Sequence, residues 1–149
     1  MRSTTDHGRS GRLRTLVLCT GNSCRSQMAE AVLQQRGGDL LEVASAGSRP
    51  TGFVHPLAIQ VMAEIGFDIA DRRSKSLDEF RDQPLDTVIT VCDDADRDCP
   101  FVAGDVVRLH WGFPDPAAAA GDDQQVLEEF RRVRDAIVRT CDAFVADLR

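Results

Sequence analysis

Cys19-Thr20-Gly21-Asn22-Ser23-Cys24-Arg25-Ser26 places a thiol and an arginine at the two ends of a loop of small, turn-forming residues. An apolar run at 16–18 leads into it, and a helical pattern begins at Met28 and Ala29. A strand that passes through such a loop into a helix aims consecutive backbone N–H groups, and the positive end of the helix, at one point. That point suits a tetrahedral oxyanion. Arg25 adds a planar, permanently charged fork for two of its oxygens. The same field lowers the pKa of a thiol at the start of the loop, so Cys19 is expected to be thiolate near neutral pH. Thr20 through Ser26 then form an anion cradle, and Cys19 is the nucleophile that attacks the central atom of what the cradle holds. Gly21 and Asn22 both tolerate left-handed backbone. Ser26 either donates to the Cys19 sulfur or caps the helix. Cys24 is read as packing.

A second cluster, Cys92-Asp-Asp-Ala-Asp-Arg-Asp-Cys99, follows an apolar run at 88–91. Two cysteines at this spacing are an incidental pair, half a zinc site or a redox couple. Zinc wants four ligands, and His110 belongs to no ligand spacing, so no metal is expected. If the segment is helical, seven steps hold the two Cα atoms about 10 Å apart. A disulfide needs them within roughly 7 Å, so a redox pair closes only if the segment unwinds. Asp93 and Asp94 suit a first helical turn, whereas Asp96 and Asp98 gain less and repel their neighbours.

In His110-Trp-Gly-Phe-Pro-Asp-Pro116, two prolines hold the surroundings of Asp115 out of regular helix. A stiffly held carboxyl there can act as general acid for a departing oxygen, although Asp-Pro is also an ordinary turn. Trp111 and Phe113 read as packing that positions the loop.

The elements that must carry these residues follow from periodicity. Strands are expected at 13–18, 40–45, 86–91 and 106–110, with helices at 24–36, from Pro56 to Gly66, at 74–80 and from near Gly121 to the end. Ser74 or Ser76 caps the third helix. The last helix carries a buried seam of Val126, Phe130, Val133, Ile137, Cys141, Phe144 and Leu148, which makes Cys141 an inert packing residue. Alternating strands and helices give an α/β fold, a single doubly wound domain with a four-stranded parallel sheet flanked by helices. Sites in such sheets lie beyond the carboxyl ends of the strands, where Cys19 and Cys92 both fall.

A chain of 149 residues with 42% apolar composition fits one domain at 13–149. Residues 1–12, polar and arginine-rich, are expected to form a disordered arm, with no secretory signal. A net charge of −6 argues against nucleic-acid or anionic-membrane binding, and no apolar run approaches a membrane span. Five cysteines, an odd number, point to a reducing compartment, the cytoplasm, and to reactive rather than structural thiols. The working form is expected to be a monomer.

With these residues in hand, the chain resembles the thioredoxin-coupled arsenate reductases, which are built on the low-molecular-weight tyrosine phosphatase fold. The resemblance runs from residue 13 to 149. It rests on Cys19 through Glu30, Ser45-Ala-Gly47, Cys92 through Pro100, and His110 through Phe113 with Asp115-Pro116. The anion loop alone does not separate reductase from phosphatase; Cys92 and Cys99 do. The phosphatases typically continue past Asp-Pro with tyrosines, whereas Ala117 to Ala120 follow here and the chain has no tyrosine. The resemblance implies that Cys19 attacks arsenate held by the loop and Arg25, while Asp115 protonates the departing oxygen. It further implies a relay in which Cys92 bridges to Cys19 and releases arsenite, Cys99 bridges to Cys92, and thioredoxin reduces that last bond, with no cofactor. Some members hold potassium beside the loop with an Asn, a Glu, a Ser and an Asp. The first three match Asn22, Glu30 and Ser45, but the Asp position falls on Lys75, whose ammonium can replace the cation, so little potassium dependence is expected. A phosphomonoester or phosphotyrosine hydrolase is the second reading, and a non-enzymatic oxyanion-binding thiol sensor the third.

Overall fold

Alternating short apolar segments and amphipathic helices leave few ways to bury both faces of a sheet, and the computed structural model adopts the parallel one. It describes residues 11–101 and 104–149; positions 1–10, nearly all of the expected N-terminal arm, lie outside the described residues. The strands are β1 (Leu13–Cys19), β2 (Leu41–Gly47), β3 (Thr87–Thr90) and β4 (Val107–His110). They pair in the order β2-β1-β3-β4, parallel throughout. The helices are α1 (Arg25–Gly37), α2 (Pro56–Ala63), α3 (Asp93–Arg97) and α4 (Asp123–Leu148).

In central β1, Leu16, Val17, Leu18 and Cys19 are all at most 4% exposed. A strand buried at consecutive positions is covered on both faces, as a doubly wound sheet requires. Both β1 and β3 end at the same rim, where Val91 N–H donates to Leu18 O at 2.9 Å, so the segments after Cys19 and after Val91 emerge side by side.

Element ends differ from expectation where a local bond decides them. Strand β2 runs on through Ala46 and Gly47, because Gly47 still pairs with Cys19. Helix α2 stops at Ala63, and Gly66, at φ 89°, turns the chain out. The third helix shortens to a 3-10 turn at Leu77–Phe80, capped by Ser76, whose hydroxyl accepts from Asp78 N–H at 3.1 Å. Ser74 instead donates to Gly21 O at 3.0 Å and so ties that segment to the Cys19 loop. A reciprocal capping box between Asp122 and Gln125 starts α4.

Phe130, Val133, Ile137 and Cys141 are buried on α4 as the seam demands, whereas Val126, Phe144 and Leu148 lie half-buried at its margins. Burial pushes the Cys141 thiol up to about 12, which fits an inert side chain. Arg134 shares the seam, a charge that the apolar spacing does not reveal. Its guanidinium donates to Val61 O at 3.0 Å and Glu64 Oε1 at 2.7 Å, locking α4 to the end of α2.

Candidate active site

Asn22 organises the loop after β1. It takes the left-handed backbone at φ 48°, one that asparagine tolerates better than most residues, and it is fully buried. Its amide nitrogen donates to Ser26 Oγ and Ser45 Oγ, both at 2.9 Å. Its side-chain oxygen accepts from Gln27 Nε2 at 3.0 Å and Lys75 N–H at 2.8 Å. Every polar atom of the side chain is therefore used inside the scaffold, which fixes the loop. Ser26 accordingly takes neither expected role: it accepts from Asn22, and α1 has no side-chain cap. Gly47 lets β2 press against the loop, since a Cβ there would stand 2.5 Å from Thr20 O.

Arg25 enters from the first turn of α1. One guanidinium nitrogen donates to Phe113 O at 3.0 Å, and another lies 3.8 Å from Asp115 Oδ2. Its Nε is buried with no protein acceptor. A buried donor without an acceptor is costly, and Arg25 lines a cavity of about 300 Å³ where its positive charge favours an anion. Cys19, Thr20, Gly21, Ser23, Cys24 and Asp115 line the same cavity. Cys24 is thus a buried wall of the cradle, its thiol pushed up to about 11 by burial.

Asp115 caps a 3-10 turn at Pro116–Ala118, where its Oδ1 accepts from Ala117 N–H at 3.0 Å. That bond leaves Oδ2 on the cavity side with Arg25. Trp111 packs edge-on against Phe144 of α4 at 5.5 Å between ring centroids, so it positions the loop that carries Asp115, as expected.

Cys92, the residue before α3, brings its sulfur to Cys19. The two share a hydrogen bond, and Thr20 Oγ1 lies 3.3 Å from Cys92 Sγ. The pair therefore holds one proton between two sulfurs. The bond from Cys92, then burial, drives Cys19 well above the usual thiol range. The bond from Cys19, helped by the Thr20 hydroxyl and Ala95 N–H, draws Cys92 down to about 5. This departs from the expectation of a thiolate on Cys19 alone. The positive field of the cradle is present, but the resting negative charge is drawn to its less buried neighbour. One thiolate per chain is thus expected to persist below neutrality and to vanish near pH 5, as read by thiolate absorbance in the reduced, ligand-free protein. Loss of all thiolate near pH 8.5, as for free cysteine, would contradict the shared proton.

Cys99 follows α3, half-buried, with its sulfur turned toward Phe101 O at 3.9 Å. All five cysteines are free thiols. Helix α3 separates Cys92 from Cys99, so the unwinding condition inferred from spacing applies.

Beside the loop, Glu30 is neutralised by protein cations. Ser45 Oγ donates to Glu30 Oε1 at 2.5 Å, Lys75 Nζ lies 3.8 Å from the same oxygen, and Arg72 binds Oε2. An ammonium and a guanidinium on one carboxylate do not fit a bound potassium ion. Exchanging potassium for sodium at constant ionic strength is expected to leave initial rate and melting temperature unchanged; a several-fold change in rate would contradict this. Arg72 and Gln27 are supports that sequence reasoning missed.

A parallel sheet with a thiol, an oxyanion cradle and a carboxyl at its carboxyl rim defines a class: enzymes built to attack a tetrahedral oxyanion with sulfur. Comparison with known proteins makes this specific. The model of the low molecular weight phosphotyrosine protein phosphatases matches residues 14–149, and the chain belongs to that family. An arsenate reductase from Halalkalibacterium halodurans is 46% identical over 127 residues, covering 85% of this chain and 91% of its own. A solved arsenate reductase in its oxidized state superposes with a TM-score of 0.77 at 29% identity, over 91% of this chain and 98% of that one. A low molecular weight protein tyrosine phosphatase from T. tengcongensis gives 0.75 at 26% identity, over 91% and 99%. Backbone shape does not separate the two activities. Among the described residues, no helix is long and apolar enough to cross a membrane.

Proposed function

We propose that this protein reduces arsenate to arsenite through a relay from Cys19 to Cys92 to Cys99, regenerated by thioredoxin in the cytoplasm. The observation that carries the proposal is the pairing of Cys92 with Cys19 beside the cradle, because a hydrolase has no use for a second thiol there. The loop N–H groups and Arg25 hold arsenate, and Cys19 attacks arsenic while Asp115 protonates the departing oxygen. The proton shared by the two sulfurs passes from Cys19 to Cys92 as Cys19 attacks, and leaves with arsenite when Cys92 attacks in turn. In that second step the Cys19–Cys92 bond forms, the arsenic–sulfur bond breaks, and its electron pair reduces arsenic by two electrons. Cys99 then attacks Cys92, which frees Cys19 and moves the disulfide outward. Relatives named arsenate reductase at 42–48% identity support the substrate.

A coupled assay tests this reading. With thioredoxin, its reductase and NADPH, arsenate is expected to drive continuous NADPH oxidation. No turnover under those conditions would count decisively against it.

One feature favours residual phosphatase activity. Phe53, 55% exposed, stands at the mouth of the cavity and offers a face to an aryl ester. Hydrolysis of an aryl phosphate that persists in Cys92→Ser, with no arsenate turnover in the parent, would make the hydrolase the better reading.

A further inference from the structure

Helix α3 is too short to stand alone. It has five residues, of which only Ala95 is buried, and isolated helices below about 12 residues are marginal in water. Asp93 and Asp94 suit its first turn, but Asp96 and Asp98 gain less there and repel their acidic neighbours. What holds it is a polar clamp from the neighbouring strands. Arg108 on β4 donates to Asp96 O at 2.9 Å and to Asp96 Oδ1 at 3.0 Å. Thr90, buried at the end of β3, donates to the same Oδ1 at 3.1 Å. His110, at the end of β4, links Thr90 Oγ1 at 2.8 Å to Asp93 Oδ1 at 3.0 Å.

We propose that Arg108 and His110 are positioning residues that set the order of the thiol relay. By pinning α3 to β4 they hold Cys92 against Cys19 for the first disulfide and keep Cys99 out of reach until the segment unwinds. The inference rests on the proposed function, and it assigns these residues a task on no reacting atom. Releasing the clamp has opposite effects on the two transfers. Cys92 is less well held, so the Cys19–Cys92 bridge forms more slowly. The unwound segment is more populated, so Cys99 reaches Cys92 sooner. A merely structural role would slow both or neither.

The test has two arms in the full chain. In a Cys19→Ser background, diamide takes two electrons and two protons from Cys92 and Cys99 and closes their disulfide without arsenate. Arg108→Gln is expected to speed that closure about tenfold, the scale of a lost charged hydrogen bond, while Arg108→Lys stays close to the parent. An unchanged rate in Arg108→Gln overturns the clamp. In the second arm, one equivalent of arsenate is added to chains with Cys19 intact, and the bridges are trapped by acid and alkylation at successive times. Arg108→Gln is expected to slow the first bridge and hasten the second; changes of the same sign in both steps overturn the ordering role. If the parent forms no Cys19–Cys92 bridge with arsenate, the relay itself falls, while the diamide arm still reports on the clamp. Asp96→Asn, which removes the carboxylate from the other end of the bond, is expected to reproduce the Arg108→Gln pattern; parent-like rates in it overturn the clamp as well.

Discussion

Cys99→Ser is expected to yield one arsenite per chain and then stop. The first two steps need only Cys19 and Cys92, which already share a hydrogen bond in the resting protein. The resulting Cys19–Cys92 disulfide lies where both residues are at most 6% exposed. An external thiol needs access to a sulfur along the S–S axis, and the walls of the cradle deny it. Only an internal thiol that arrives from the end of α3 can take over the bond. A rapid-mixing assay with thioredoxin, its reductase and NADPH is expected to show a burst of one equivalent of arsenite drawn from the protein's own thiols, with NADPH oxidation near background. Sustained turnover at the parent rate would remove Cys99 from the relay.

Cys19→Ser is expected to lose activity by on the order of 10⁴-fold or more, as when a covalent nucleophile is removed from a site whose parts act together. A serine hydroxyl stays protonated at every accessible pH, so nothing at the base of the cradle attacks arsenic. Folding is expected to survive, because serine is close in size and the loop is held by Asn22 rather than by the sulfur. An oxyanion such as phosphate should still raise the melting temperature, which separates lost chemistry from lost binding. Activity within tenfold of the parent would show that another thiol is the nucleophile.

Much of this site was legible because its parts are local. The loop from Cys19 to Ser26 carries its own turn chemistry, and the strand before it and helix after it follow from periodicity. The spacing of Cys92 and Cys99 likewise states its own geometric problem. What stayed hidden depends on neighbours brought together by strand pairing. The shared proton exists only because β3 lies beside β1, which places Cys92 against a residue 73 positions earlier. Without that neighbour the field of the cradle argues for a thiolate on Cys19 alone. Ser26 could not be assigned from sequence, since its partner Asn22 is itself oriented by Ser45 and Lys75 from distant segments. Arg134 could not be placed from the periodicity of α4, because nothing in the pattern announces that the end of α2 offers it a carbonyl and a carboxylate. Lys75 was legible by position, but Arg72, which binds the same Glu30, was not.

The whole mechanism turns on two oxidising equivalents leaving arsenic's binding site by way of two successive disulfides, while two electrons from the thiols reduce arsenic. Mass mapping of the cysteine bridges in the parent protein, quenched at intervals after one equivalent of arsenate and without thioredoxin, reads this directly. Cys19–Cys92 is expected to appear first and to give way to Cys92–Cys99, with Cys24 and Cys141 free throughout. A first bridge that excludes Cys92, or arsenite released with every thiol still reduced, would contradict it.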